Sequence, residues 1–281
     1  MATPSAPAQL RHLLHGPGMV IAPGCHDALG ARLVENTGFA AVYMSGNATS
    51  ASRIGRADLG LLTMSEMVQN ARGIAAATRL PLISDADTGY GDEESIARTV
   101  HEFEAAGVAA IHIEDQAMPK RCGAMPGLKV VDISEAEQRI KVALQARTDP
   151  DFLIIARTDA LALDDYKGAI ERARAFAEAG ADMVVVEDPR TREDVETIAR
   201  DLADIPLMTN VFEAWPWTLR PARELEDLGY KLAIYCLSLT LAYTHASQEV
   251  LKVIRDGRST SEKLAQMASR EGYEAQLGLV E

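Results

Sequence analysis

The chain is poor in cysteine and in aromatic residues. Its 281 residues hold three cysteines, Cys25, Cys122 and Cys236, and 5% Phe, Trp and Tyr. Three widely spaced thiols exclude a disulfide scaffold and fit a reducing, cytoplasmic compartment. Long apolar runs are also missing: no stretch reaches the roughly 18 residues of a membrane-spanning helix. The opening MATPSAPAQL lacks the basic and apolar regions of a leader. No basic run is present to track a phosphate backbone. With 28 Lys and Arg against 41 Asp and Glu, the formal charge is −13, and such a surface repels nucleic acid and anionic membranes. The expected partner is a small molecule, and a local basic pocket for an anionic metabolite stays open.

Apolar residues make up 47% of the chain, enough for a sizeable core. They gather in eight short runs, at 19–24, 40–46, 81–87, 109–115, 152–159, 183–189, 206–211 and 230–238. Runs that are apolar on both faces read as buried parallel strands. Amphipathic segments such as DEESIARTVHEFEAAG and YKGAIERARAFAEAG separate them, each ending in glycine, a helix stop. Eight strand–helix units predict an α/β chain folded as a (β/α)8 TIM-like barrel; a doubly wound open sheet is the rival. Polar groups favour the barrel. Ser45, Asp85, Asp87, Glu114, Arg157, Glu187 and Asn210 all fall late in their strands or just beyond, and only a closed barrel brings those ends to one mouth. The reading is a single catalytic domain over 1–281, with 256–281 a C-terminal helical extension available for subunit contact.

Asp85 and Asp87, in DADTGYG, lie on one side of a strand if it stays regular. Paired carboxylates repel unless a proton or cation compensates, and oxygen ligands of this kind suit Mg²⁺. Glu114 and Asp58 can join them; capping of a turn or helix is the plainer alternative. Ser45, Gly46 and Asn47 can present small donors to a carboxylate, or form an ordinary turn. Arg157 can grip a carboxylate through two parallel bonds, or pair structurally with Asp159 or Glu187. The segment QAMPKRCGAMPG puts Lys120, Arg121 and Cys122 side by side. Their positive field is expected to lower the thiol pKa of Cys122 and to receive an anionic substrate; a solvated loop with an idle cysteine is the alternative. His112 shares the Glu114 face and reads as a strand histidine with a local hydrogen bond.

The ordered set SDADTGYG, HIEDQAMPKRCG, IIARTDA and LGYKLAIY, within similarity that runs nearly the whole chain, resembles the isocitrate lyase/phosphoenolpyruvate mutase superfamily. Its site pattern is similar to the methylisocitrate lyase and 2,3-dimethylmalate lyase branch. The resemblance implies a (β/α)8 barrel, a C-terminal helix exchanged between subunits and a homotetramer built as a dimer of dimers. It implies Mg²⁺ chemistry (Mn²⁺ as a substitute) on 2-oxo or 2-hydroxy acids. By it, Asp58, Asp85, Asp87 and Glu114 surround the ion, and Tyr43, Ser45, Gly46 and Asn47 hold the oxo-acid end. Arg157 binds near the oxo acid or leaving enolate. Lys120, Arg121, Cys122 and Gly123 match the closing loop of the lyase branch, whose cysteine donates a proton. Glu187 also matches that branch, since phosphonomutases typically carry histidine there. Asn210 and Glu213 resemble groups near the distal acid end.

Two departures stand out. Ala124 replaces the histidine that usually follows the loop cysteine and glycine, which would weaken Cys122 as an acid/base. NVFEAWPW, 210–217, replaces a glycine-rich stretch; Trp215 and Trp217 either shape the distal pocket or anchor packing. The implied reaction is cleavage of a substituted 2-hydroxy dicarboxylate to pyruvate or glyoxylate and a second carboxylate. Oxaloacetate decarboxylation and C–C hydrolysis are alternatives. Phosphonopyruvate or carboxyphosphonoenolpyruvate chemistry is less supported, as is a non-catalytic metabolite-binding protein.

Overall fold

A computed structural model describes residues 4–163 and 165–279. Eight strands form one parallel sheet: β1 Val20–Cys25, β2 Val42–Met44, β3 Leu82–Asp85, β4 Ala110–Glu114, β5 Leu153–Thr158, β6 Met183–Val186, β7 Met208–Val211 and β8 Leu232–Tyr235. Each lies inside a run read from the sequence, apart from Cys25, one residue past the first. Neighbours pair in the order β6-β5-β4-β3-β2-β1-β8-β7. The ring closes between β6 and β7 through one bridge, Val184 with Leu207, and the Val184 N–H donating to Pro206 O at 3.0 Å. The barrel is therefore nearly closed, and the open-sheet alternative falls.

Helices α2 Ala28–Asn36, α3 Gly46–Ile54, α4 Met64–Ala77, α5 Glu93–Ala105, α6 Ile133–Ala146, α7 Tyr166–Glu178, α8 Arg192–Asp201, α9 Ala222–Asp227 and α10 Ser238–Arg255 follow the strands. Alternation along each strand divides the core in two. Outward residues such as Val42, Leu82, Ile111, Ile154 and Val184 pack with Phe103, Phe152 and Phe176 beneath the helices. Inward residues such as Ile83, Ala110, Leu153, Ile155, Val185 and Ile234 fill the barrel. The same alternation turns Tyr43, Asp85, His112, Glu114 and Arg157 inward, one step nearer the mouth.

One feature differs from the pattern reading. An additional helix, α1 Ala6–His15, has Ser5 as its N-cap and inserts fully buried Leu10 among the inward residues. The additional C-terminal helix is present as a short α11, Arg270–Gln276, preceded by a 3-10 turn, Thr260–Gln266, and residues 280 and 281 lie outside the described set. Asn36 of α2 donates to Gln276 at 2.8 Å. Helix α10 buries only Val253, and Leu241, Tyr243, Leu251 and Ile254 stand exposed.

Candidate active site

Strand register explains how distant residues meet. Asp85 pairs with His112 across β3–β4, and Glu114 with Arg157 across β4–β5. Strand β3 ends at Asp85, so the expected regular i,i+2 pairing of Asp85 with Asp87 does not hold. Asp87 turns into the left-handed region (φ 48°) and its N–H donates to Asp85 Oδ1 at 3.0 Å. The turn still points both carboxylates at one spot, joined by Asp58. Oxygens of Asp58, Asp85 and Asp87 lie within 4.8 Å of one another, and all three residues are buried.

This trio fits a hard divalent cation such as Mg²⁺ or Mn²⁺. Three buried carboxylates face one local cation, Lys120, and the excess negative charge calls for more. Burial, with Asp85 and Asp58 alongside, pushes Asp87 up to about 7 against the opposing pull of Lys120. A divalent ion would relieve that cost. Gly46 is required beside the trio, because a Cβ there would stand 2.3 Å from Asp85 Oδ2. Glu114 is not one of the trio: its Oε2 lies 3.5 Å from Arg157 Nε, and its Oε1 is buried with no hydrogen-bond partner among the described residues.

Lys120 is not the solvated loop lysine that its surroundings in the sequence suggest. It is 2% exposed, with its ammonium 2.6 Å from Asp58 Oδ1 and also on Asp87. Its charge serves the acidic cluster. Arg157 is held in the same way. Its Nε and Nη2 donate to Asp159 at 3.0 and 2.7 Å, and Glu187 lies 3.8 Å from Nη1. The structural pairing left open by the sequence is therefore made. Arg121 has no ion pair among the described residues; its N–H donates to Gln116 Oε1 at 2.9 Å.

A pocket of about 40 Å³ is lined by Tyr43, Ser45, Asn47, Asp58, Asp85, Glu114, Arg121, Cys122, Gly123, Ala124, Arg157, Glu187, Asn210, Phe212, Trp215, Cys236 and Leu237. Of the residues singled out from sequence, Asp87 and Lys120 line instead a separate cavity of about 350 Å³. The smaller pocket is the candidate active site, because the strand ends converge there. Cys122 sits over it: Asn47 Nδ2 donates to Cys122 Sγ at 3.3 Å, and the Cys122 N–H donates to Asp58 O at 3.0 Å. The expected lowering of the thiol pKa is overturned. Burial raises it, outweighing Asn47 and Arg157, so Cys122 is a neutral thiol at neutral pH. Gly123 permits the close approach, since a Cβ would meet Arg157 Nη2 and Asp159 Oδ1, each at 2.8 Å.

Tyr43 O–H lies 2.8 Å from His112 Nε2, both fully enclosed. Burial lowers His112 to about 4 and raises Tyr43, so both are neutral and the phenol donates to the imidazole. On the other side of the pocket, Asn210 donates to Glu187 Oε1 at 2.9 Å, and burial raises Glu187 despite Arg157. Trp215 packs edge-on against Phe212 (centroids 4.9 Å apart, 84°) and lines the pocket. Trp217 does not line it: its indole N–H donates to Pro189 O. Glu213 is also outside the lining and accepts from Ser238. Sequence reasoning assigned no role to Phe212, Cys236 or Leu237. Each is a single apolar residue just past β7 or β8, with no local signal of its own.

Comparison with known proteins agrees with this geometry. The family profile described as "Phosphoenolpyruvate phosphomutase" matches residues 10–255. The chain is 40% identical to 2,3-dimethylmalate lyase of Eubacterium barkeri, over 97% of this chain and 94% of that one. It is 44% identical to a probable 2-methylisocitrate lyase of Corynebacterium glutamicum, over 82% of this chain and 74% of that one. A solved oxaloacetate acetylhydrolase superposes with a TM-score of 0.88 at 36% identity, covering 98% of this chain and 95% of that one. With the barrel, the three-aspartate cluster and the cysteine loop in place, the chain belongs to the isocitrate lyase/phosphoenolpyruvate mutase superfamily, close to its methylisocitrate lyase and dimethylmalate lyase branch.

Proposed function

We propose that the chain is a Mg²⁺- or Mn²⁺-dependent carbon–carbon lyase. It cleaves a substituted 2-hydroxy dicarboxylate to a 2-oxo acid, pyruvate or glyoxylate, and a second carboxylate. The observation that carries this reading is a neutral thiol, Cys122, set over a pocket that opens onto the three-aspartate cluster.

Asp58, Asp85 and Asp87 would hold a divalent ion, which when bound would supply Lewis-acid polarisation of the substrate's oxo-acid end. Ser45 and the first amides of α3, at Gly46 and Asn47, receive the adjacent carboxylate at a helix N-terminus. Arg121 pairs with the second carboxylate. Tyr43 takes the C2 hydroxyl proton on its phenol oxygen as its own proton moves onto His112 Nε2, and the Asp85 carboxylate, 3.7 Å from His112 Nδ1, offsets the cost of charging the buried ring. The C2–C3 bond then breaks. The new C2 carbonyl keeps the oxygen's electron pair, and the C2–C3 pair passes into the departing carboxylate as an enediolate. Cys122 gives its proton to C3. Arg157, fixed by Asp159, and Glu187, fixed by Asn210, set the charge around the cleaved bond. Gly123 lets the loop close and exclude water. Trp215 and the Asn210 side chain bound the far side, and Glu213 braces it through Ser238.

The test is a product-resolved screen of 2-hydroxy and 2-oxo diacids with and without Mg²⁺. Ion-dependent release of pyruvate or glyoxylate with a second acid supports the lyase. The similarity to the oxaloacetate acetylhydrolase favours a second reading, hydrolysis of oxaloacetate with oxalate as a product; oxalate release in the same screen would select it, and CO2 release would select a decarboxylase. Among the described residues, no helix is long and apolar enough to cross a membrane, and the three cysteines are free. These facts support placing the enzyme in the cytoplasm. The exposed apolar residues of α10 and beyond support pairing with further copies, as a homotetramer.

A further inference from the structure

We infer that Gln116 is a positioning residue: its carboxamide latches the 117–129 loop over the pocket and aims Cys122. What the held thiol does rests on the lyase reading; the latch itself does not.

The feet of the loop are fixed first. Asp115 and Gln116 directly follow β4, and both are buried. Gln116 pairs antiparallel with Val130, and the Ala117 N–H donates to Lys129 O at 2.8 Å. The Val131 N–H donates to Asp115 O at 2.9 Å. Two arginines tie these feet to the outer helices. Arg139 of α6 donates to Gln116 O at 2.9 Å. Arg172 of α7 donates to Val131 O at 2.7 Å and to Asp115 Oδ2 at 3.1 Å. None of these bonds uses the Gln116 side chain, so the feet stand without it.

That side chain reaches into the loop instead. Its Nε2 donates to Arg121 O at 2.8 Å, and its Oε1 accepts from the Arg121 N–H at 2.9 Å. One carboxamide thus fixes both peptide planes that flank Arg121. Peptide planarity puts the Cα atoms of Lys120, Arg121 and Cys122 in those two planes. The amide therefore sets where all three side chains start. From there Lys120 reaches Asp58, and Arg121 and Cys122 line the pocket. Gln116 is 0% exposed. Opening the loop strips a buried donor and a buried acceptor of their partners, so the shut loop is favoured before any substrate binds. The Lys120 ion pairs are a different kind of tie, because a divalent ion would compete for the same carboxylates. A neutral amide bonded to backbone holds the loop whether or not the ion is there.

Two variants of the full chain test this. Gln116→Met keeps the bulk and loses both bonds. Gln116→Glu keeps the shape but turns an acceptor toward Arg121 O. Iodoacetamide labelling of Cys122, read by peptide mapping at neutral pH without substrate, should speed up at least about tenfold in both. In turnover, kcat should fall at least about tenfold. A labelling rate equal to that of the unmodified chain in either variant overturns the inference, even if turnover is lost. Hydrogen exchange on the unmodified chain decides the matter should the variants not fold. The Arg121 amide is expected to exchange at least about a hundredfold more slowly than an unstructured amide in the absence of ligand, and free exchange there overturns the latch. Full kcat in a fast-labelling Gln116→Met removes the aiming of Cys122 and leaves the lyase standing. If the unmodified chain cleaves no diacid, the lyase reading falls, while labelling and exchange still decide the latch.

Discussion

Single side chains set the chemistry. Asp85 ends β3 inside a buried trio, so Asp85→Ala should abolish tight Mg²⁺ binding and reduce turnover by at least about a hundredfold; metal titration and kinetics measure both. Cys122→Ser should leave diacid binding near its starting value while lowering kcat by about 10²–10⁴, the usual worth of a positioned proton donor. Full turnover in that variant would falsify the assignment. The raised thiol pKa gives a pH test with a definite sign. The protonated form persists to higher pH than in a free cysteine, and only the thiolate alkylates. Alkylation of Cys122 should therefore be slow at neutral pH and rise with a midpoint above that of free cysteine. Thiolate reactivity already saturated at neutral pH would show that the proton is not there to give.

Among elements, the loop over 116–127 matters most. It is tied down by Lys120 on Asp58 and Asp87, by the Cys122 N–H on Asp58 O, and by Gln116 Nε2 donating to Arg121 O at 2.8 Å. Removing one partner of a buried ion pair leaves charge uncompensated, at a cost of about 3–5 kcal/mol. Lys120→Met should lower Tm in metal-free buffer, and saturating Mg²⁺ should return part of the loss by replacing the missing positive charge. No metal-dependent recovery would mean that Lys120 and the ion do not share those carboxylates. Gly123→Ala should reduce kcat and hasten Cys122 alkylation, because its methyl group meets Arg157 and Asp159 only when the loop is shut. The elements themselves were readable from hydrophobic periodicity. Strand ends at Asp85, Glu114, Arg157 and Asn210 carried polar groups after buried apolar runs, and a parallel barrel gathers such ends. The burial of Lys120 was not readable, because its partners lie 62 and 33 residues earlier in the chain.

At the scale of the molecule, the nearly closed ring gathers the polar strand ends at one mouth. The chain carries a formal charge of −13, yet Tyr243, Leu251, Ile254, Leu264 and Tyr273 are exposed near the C-terminus. These residues are the candidate contact surface of the proposed tetramer. Light scattering should report a tetramer, and Leu251→Asp should shift it toward smaller species. A monomer in the unmodified chain at working concentration would refute that assembly.

The sequence alone determined the barrel and most of the residues at its mouth, because side-chain alternation and the placing of polar groups at strand ends are local properties. Tertiary structure decided the rest. It placed Lys120 among carboxylates, bound Arg157 to Asp159, kept Cys122 protonated by burial, and made a wall from Phe212, Trp215, Cys236 and Leu237. Each of these outcomes depends on what stands across the pocket. In a closed ring the facing strands are far apart in sequence, and only closure of the sheet brings their ends into contact.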